Sequence, residues 1–138
     1  MSKSDAFENA LLLLLFNATA FTGIAQNHAT PSDLYMALHT ADPGEAGTLA
    51  TSEISYTGYA RKQLARNGTN FTVVGDTVSL AANQDFPAST GGTGGTVTHW
   101  SIGTSAGVML YRGAVSPTIA VSSGVTPRLN AGTLVTEA

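Results

Sequence analysis

Cysteine is absent from the 138 residues. That removes disulfides, thiolate metal sites and cysteine nucleophiles together, and it fits a chain that matures in a reducing cytoplasm. Charge is scarce as well, at 11% of residues against about 25% in ordinary soluble domains. The net charge is −3, so there is no basic footprint for nucleic acid and no direct nucleic-acid partner is expected. With so few charges, Thr, Ser, Asn, Gly and Ala must coat the surface, or other subunits must cover part of it; charge depletion marks interface cores. No apolar run reaches the ~20 residues of a membrane-spanning helix, and Asn9 and Asn17 flank the longest one closely. Ala18-Thr19-Ala20 has the form of a signal-peptidase site, but Asp5 and Glu8 offset Lys3 and the terminal amine. The basic leader of a signal peptide is therefore missing, and no membrane partner is expected. Internal repeats and composition breaks are also lacking, which predicts a single domain over 1–138, long enough to bury a core.

Against these absences stands a concentration of leucine. Leu11 to Leu15 and Phe16 are consecutive large apolar side chains, and at about 100° per residue they cover every direction around a helix. Phe7, Leu11, Leu14, Leu15 and Ala18 fall on one side, with Leu12, Leu13 and Phe16 roughly opposite. Left in water, the second set would forfeit roughly 1.5–3 kcal/mol per large side chain. Leu12, Leu13 and Phe16 are therefore the candidate partner or oligomer interface, with the first set packed on the chain's own core; the sequence equally permits the reverse. Asp5 with Glu8 predicts a capping box. Gly23 and Asn27 close a helical segment predicted over 5–27, before Thr30-Pro31-Ser32 turns the chain.

The remainder, 33–138, reads as β. Leu34, Met36 and Leu38 alternate with Tyr35, Ala37 and His39, the period of a half-buried strand. Further strands are predicted at 59–66, 71–74, 77–81, up to Phe86-Pro87, and at 96–102, 108–112, 118–121 and 132–136. Asn67-Gly68 is a predicted hairpin turn, and 88–95 (ASTGGTGG) a flexible loop by composition. Short strands at roughly 8–12-residue spacing indicate a sandwich or barrel. The expected fold is mainly β, a β-sandwich of jelly-roll type with an N-terminal α-helix.

Chemistry-bearing patterns are few. Gly103-Thr104-Ser105-Ala106-Gly107 matches G-x-S-x-G, yet it leads into the apolar strand Val108-Met109-Leu110-Tyr111 rather than a helix. A nucleophile elbow needs the helix, so a β-turn is the better account. His28, His39 and His99 share no metal-ligand spacing, and His39 and His99 read as structural histidines in strands. Asp42 and Glu45 are too sparse for a committed cation site. The Gly91–Gly95 run lacks the Lys-Ser/Thr and helix of a phosphate loop. Along a strand, Arg61 faces one side and Lys62 and Arg66 the other, a poor phosphate track; an inter-subunit salt link or a guard on an edge strand fits better. Asn-x-Thr triplets at Asn17, Asn67 and Asn70 carry no consequence without secretion. Tyr35, Tyr56, Tyr59, Trp100 and Tyr111 suit core and interface packing better than a sugar platform, since only one Trp is present. No catalytic residue, metal site or cofactor is expected.

Several stretches together resemble a family of small structural proteins of tailed bacteriophages: FENALLLLLFNATA (7–20), LYMALHTADPGEAGT (34–48), YTGYAR (56–61), FPASTGG (86–92), VTHWSIGT (97–104), LYRGAVSPTIAVSSGVTPRL (110–129) and LVTEA (134–138). They span nearly the whole chain, and LYMALHTADPGEAGT is the most specific. Members are labelled variously as tail-fibre or as head decoration and cement proteins, and the resemblance supplies no catalytic residues. It implies a virion component made in the host cytoplasm. The function expected first is a capsid decoration or cement protein on the outer surface of the head. There it would bind the major capsid protein and copies of itself as a dimer or trimer. The alternative is a tail or tail-fibre component. A carbohydrate-binding module comes next, and a small serine hydrolase survives only on the G-x-S-x-G match.

Overall fold

A computed structural model describes residues 2–26 and 28–137. It contains one helix, α1 (Asp5–Asn17), and the strands β1 (Leu34–His39), β2 (Lys62–Leu64), β3 (Phe71–Val74), β4 (Thr77–Leu80), β5 (Gln84–Asp85), β6 (Gly95–Gly103), β7 (Met109–Val121), β8 (Arg128–Leu129) and β9 (Gly132–Thr136). Every pairing is antiparallel, and no sheet closes into a barrel among the described residues. The expected mainly β fold with an N-terminal helix is thus borne out. The chain forms two compact units. One comprises Met1–Asp33, Ala65–Asn83 and Asn130–Ala138, and the other Leu34–Leu64 and Gln84–Leu129.

In the first unit, the cap of α1 lies one residue before the expected Asp5. Ser4 is extended (φ −85°), and its carbonyl accepts the amides of Phe7 and Glu8 at 2.9 and 3.0 Å. No side chain caps this end, so the capping box predicted from Asp5 and Glu8 is not made; Asp5 is already helical. At the other end Ala18 takes the left-handed conformation (φ 52°). The Thr19 amide then reaches back to the Leu13 carbonyl at 3.0 Å, closing the helix as a Schellman turn does. The helix is therefore shorter than the predicted 5–27 segment. Phe21–Ala25 forms a separate turn closed by an amide-to-carbonyl bond of 2.8 Å. The predicted boundary residue Asn27 and the last residue of the LVTEA tail lie outside the described residues. β3, β4 and β9 pair in that order, and Gly75 (φ 59°) makes the tight turn between β3 and β4. Phe71, Val78, Leu80 and Val135 are buried. The Phe16 and Phe71 rings meet edge-on at 5.1 Å, which anchors α1 on this sheet.

The second unit is built on the sheet β2-β1-β6-β7. β1 is one of its two inner strands, with Met36, Ala37, Leu38 and His39 fully buried. β2 pairs only with Leu34–Met36; farther along, residues 52–54 take its place, with Ile54 N–H bonded to the Leu38 carbonyl and Thr40 N–H to the Ser52 carbonyl, both at 2.9 Å. The strand predicted at 59–66 thus shortens to Lys62–Leu64. Asn67-Gly68 turns the chain but joins no paired strands, because β2 pairs with β1 while β3 pairs with β4. The two strands predicted at 108–112 and 118–121 are one, β7. Its register slips between Val97↔Ile119 and His99↔Ala114, leaving residues 115–118 as extra chain opposite Thr98. β5 and β8 form a two-stranded ribbon.

Candidate functional site

α1 carries the residues the sequence singles out. Leu12 and Phe16 are fully buried within the chain's own unit, together with Glu8, one helical stripe at four-residue spacing. Leu11, Leu13, Leu14 and Leu15 are half-buried, and Phe7 is 40% exposed with its ring 5.9 Å from that of Phe21. Of the set Leu12, Leu13 and Phe16, two point inward and only Leu13 stands on a flank. The side packed on the chain's own sheet is the reverse of the first assignment, which the leucine run permits. Asn9 ties the helix down by donating its amide to the Gly75 carbonyl at 2.7 Å.

The basic residues do not gather. The Arg66 guanidinium donates to the carbonyls of Leu15 and Leu14, each at 2.6 Å. It supplies a cation where the helix dipole is negative and where the last turn has no basic residue of its own. Lys62 donates to the Asp85 carbonyl at 3.3 Å. Arg61 forms a two-pronged pair with Glu53, Nε to Oε1 and Nη2 to Oε2, both 2.8 Å. Tyr59 donates its phenol to the same Oε1 at 2.8 Å and accepts the Leu38 amide at 3.2 Å. Burial drives the Tyr59 phenol well above its usual range, and the hydrogen bonds to Glu53 raise Arg61 further. This network completes β1 at the point where β2 ends. Arg61 and Arg66 make their contacts inside the chain, whereas Lys62 lies on β2, an edge strand of its sheet, where an edge guard was expected.

His39 bonds through Nδ1 to the Thr51 carbonyl at 2.7 Å and through Nε2 to Ser101 Oγ at 2.6 Å. The carbonyl can only accept, so Nδ1 carries the proton and Ser101 donates to Nε2. Burial lowers the His39 pKa from 6.5. Both His39 and Ser101 are fully buried, so the pair binds loop to strand and presents no nucleophile to solvent. Ser105 sits apart from it, in a strand–turn–strand loop closed by Thr104 N–H to the Val108 carbonyl at 2.9 Å. No helix follows that turn.

The Asp42 carboxylate accepts the Gly44 amide at 2.9 Å and Arg112 Nη1 at 2.6 and 2.8 Å; the amide first, then Arg112, lowers its pKa. No cluster of three metal-ligating side chains occurs among the described residues. The loop read as flexible is pinned at its start. Ser89 N–H bonds to the Val125 carbonyl, Thr90 N–H to Thr57, and Thr57 N–H to Gly91, at 2.9–3.0 Å. The aromatic residues are spent on packing. Tyr59 stacks on Phe86 at 6.5 Å, Tyr56 donates to the Pro87 carbonyl at 2.7 Å, and Trp100 is 8% exposed. Its ring lies 2.8 Å from where a Cβ on Gly113 would stand.

No curated protein matches the chain. A family model described as podophage GP4 fiber I protein gp80 matches residues 2–137, all but the two terminal residues. That match overturns the capsid-decoration reading in favour of the tail-fibre alternative. The resemblance to phage structural proteins did not separate the two, because its labels cover both; the fibre family does. With it, the major capsid protein loses its support as the partner and the outer head surface as the location. The expectation of a virion structural component that is not an enzyme holds. The chain belongs to the podophage GP4 fiber I protein gp80 family, and is a structural component of a phage tail fibre.

Proposed function

We propose that the chain is a building block of the fibre that works by adhesion alone, holding copies of itself and neighbouring fibre chains in register. The family match over residues 2–137 carries this reading. Two further observations support it. Only 11% of the residues are charged, which lowers the desolvation cost of covering the surface. In addition, α1 keeps Leu11, Leu13 and Leu14 half-exposed beside Phe7. In this reading the contact first expected of Leu12, Leu13 and Phe16 narrows to Leu13 and its neighbours on the flank, while Leu12 and Phe16 hold the helix to its own sheet.

The test is made on the particle. Gold-labelled antibody against the chain should decorate fibres at the tail, and phage lacking the chain should keep filled heads while losing fibre density. Label spread over the head shell would overturn the reading.

A further inference from the structure

Asn67 is followed by Gly68, the one Asn-Gly step in the chain, and the fibre assignment makes no use of it. Both residues are exposed, in the turn that leads from β2 toward β3. The Asn67 backbone carbonyl accepts the amides of Asn70 and Phe71 at 3.2 and 3.0 Å. Its side-chain Oδ1 accepts those of Thr69 and Asn70 at 3.0 and 3.3 Å. Two groups are left over. Among the described residues no acceptor takes the Gly68 amide or the Asn67 Nδ2. Other asparagine side chains are occupied: Asn9 donates to the Gly75 carbonyl and Asn70 to the Ala65 carbonyl.

The Gly68 nitrogen and the Asn67 Cγ belong to adjoining residues, and a bond between them closes a cyclic imide. Holding both ends on one short stretch of chain favours that closure over any encounter from solution. The Thr69 and Asn70 amides polarise the Cγ–Oδ1 bond and stand where negative charge gathers as nitrogen adds. Glycine leaves the approach clear. A Cβ at position 68 would meet nothing within 4 Å, and the Gly68 φ lies outside the left-handed region, so the turn itself does not require glycine. An exposed turn also opens locally at little cost, which gives the Asn67 backbone the rotation that ring closure needs.

We propose that Asn67 is a site of spontaneous deamidation, converted through a cyclic imide with Gly68 into aspartate and isoaspartate. Hydroxide removes the Gly68 amide proton, the nitrogen bonds to Cγ, and the Cγ–Nδ2 bond breaks with ammonia as the leaving group, protonated by water. Water then opens the imide. Cleavage of the new Cγ–N bond leaves aspartate on an unaltered main chain. Cleavage at the original carbonyl carbon routes the main chain through Cβ and Cγ, as isoaspartate. Each conversion consumes one water and releases one ammonia, which takes the proton of the new carboxylic acid. Nothing is oxidised or reduced, and the net charge falls by one from −3. The two products act differently on the fold. Aspartate keeps an oxygen for the Thr69 and Asn70 amides. Isoaspartate lengthens the main chain by one methylene and turns the carbonyl that holds Asn70 and Phe71 into a free carboxylate. Phe71 carries the edge-on contact with Phe16 at 5.1 Å, so the change is passed on to α1. A virion chain is not renewed after assembly, and the products accumulate with the age of the particle.

The purified full chain is kept in mildly alkaline buffer made with heavy-oxygen water, and the peptide carrying residue 67 is followed by mass spectrometry. Conversion at Asn67 should incorporate one heavy oxygen, run ahead of conversion at Asn70, and quicken as pH rises. Gly68→Ala shields the nitrogen with a methyl group that meets nothing in the fold. It should convert roughly tenfold or more slowly with its circular dichroism unchanged. A Gly68→Ala variant that converts as fast as the wild type, or an Asn67 that outlasts Asn70, would overturn the site. The isoaspartyl fraction, separated by ion exchange, should unfold at lower urea concentration than Asn67→Asp, which reproduces the charge on an intact main chain. Equal midpoints for those two would overturn the link to Phe71 and α1. This chemistry is independent of what the chain assembles into, so neither failure touches the fibre reading, which is tested on the particle.

Discussion

At the scale of single residues, the polar groups that matter hold backbone in place. His39 is neutral and buried between Thr51 and Ser101, with Glu53, His99 and Arg61 as its ionisable neighbours. In the unfolded chain the ring protonates below about pH 6.5; in the folded chain burial resists that. The unfolded state then binds more protons, so stability is full above about pH 6.5. It is lost as pH falls toward the lowered folded value, at no more than about 1.4 kcal/mol per pH unit. Urea midpoints measured across that window should fall with pH in the wild type and flatten in His39→Gln. An unchanged slope in the variant would assign the effect elsewhere. Arg66 makes a second case. Arg66→Leu leaves the carbonyls of Leu14 and Leu15 without their charged donor, and should cost about 1.5–3 kcal/mol by chemical denaturation. No sequence signal marks this contact, because its acceptors are backbone atoms more than fifty residues away.

At the scale of elements, legibility follows how much of the pattern is local. β1 is found at its observed bounds because Leu34, Met36 and Leu38 alternate with the residues between them. β3 and β4 fall at or within the predicted 71–74 and 77–81, because Gly75-Asp76 between them takes the turn geometry easily. β8 is two residues long and has no period to detect. β7 is expected as two strands, 108–112 and 118–121, whereas extra residues opposite Thr98 let one strand run on. For α1 the run of leucines makes the helix plain and hides its orientation. Which side is buried is decided by Phe71, on a strand far along the chain. The orientation has a measurable consequence. Leu12→Ala opens a cavity against β3 and should cost about 2–5 kcal/mol. Leu14→Ala, on the half-exposed side, should cost less than about 1 kcal/mol. Equal losses in thermal or urea unfolding would mean that both sides are enclosed within one chain.

At the scale of the whole molecule, the scarcity of charge read first from composition meets the fibre assignment. Residue chemistry alone indicated assembly without saying where in the virion, since a head shell and a tail fibre place the same demand on a surface. What composition does determine is the kind of force available. Ion pairs such as Arg61–Glu53, Arg112–Asp42 and Arg128–Asp85 are satisfied within the chain, so in the proposed fibre block the contacts between copies rest on apolar side chains and backbone hydrogen bonds. Salt screens exposed charges, with a Debye length of about 3 Å at 1 M, but leaves apolar burial intact. Sedimentation of the purified chain should therefore show a dissociation constant that stays level or tightens between ~0.1 M and ~1 M sodium chloride. Melting temperature should rise with protein concentration at both salt levels, as mass action requires of an associating fold. Dissociation on adding salt would mean that copies are held by charge, and composition would then have misjudged the surface it was used to describe.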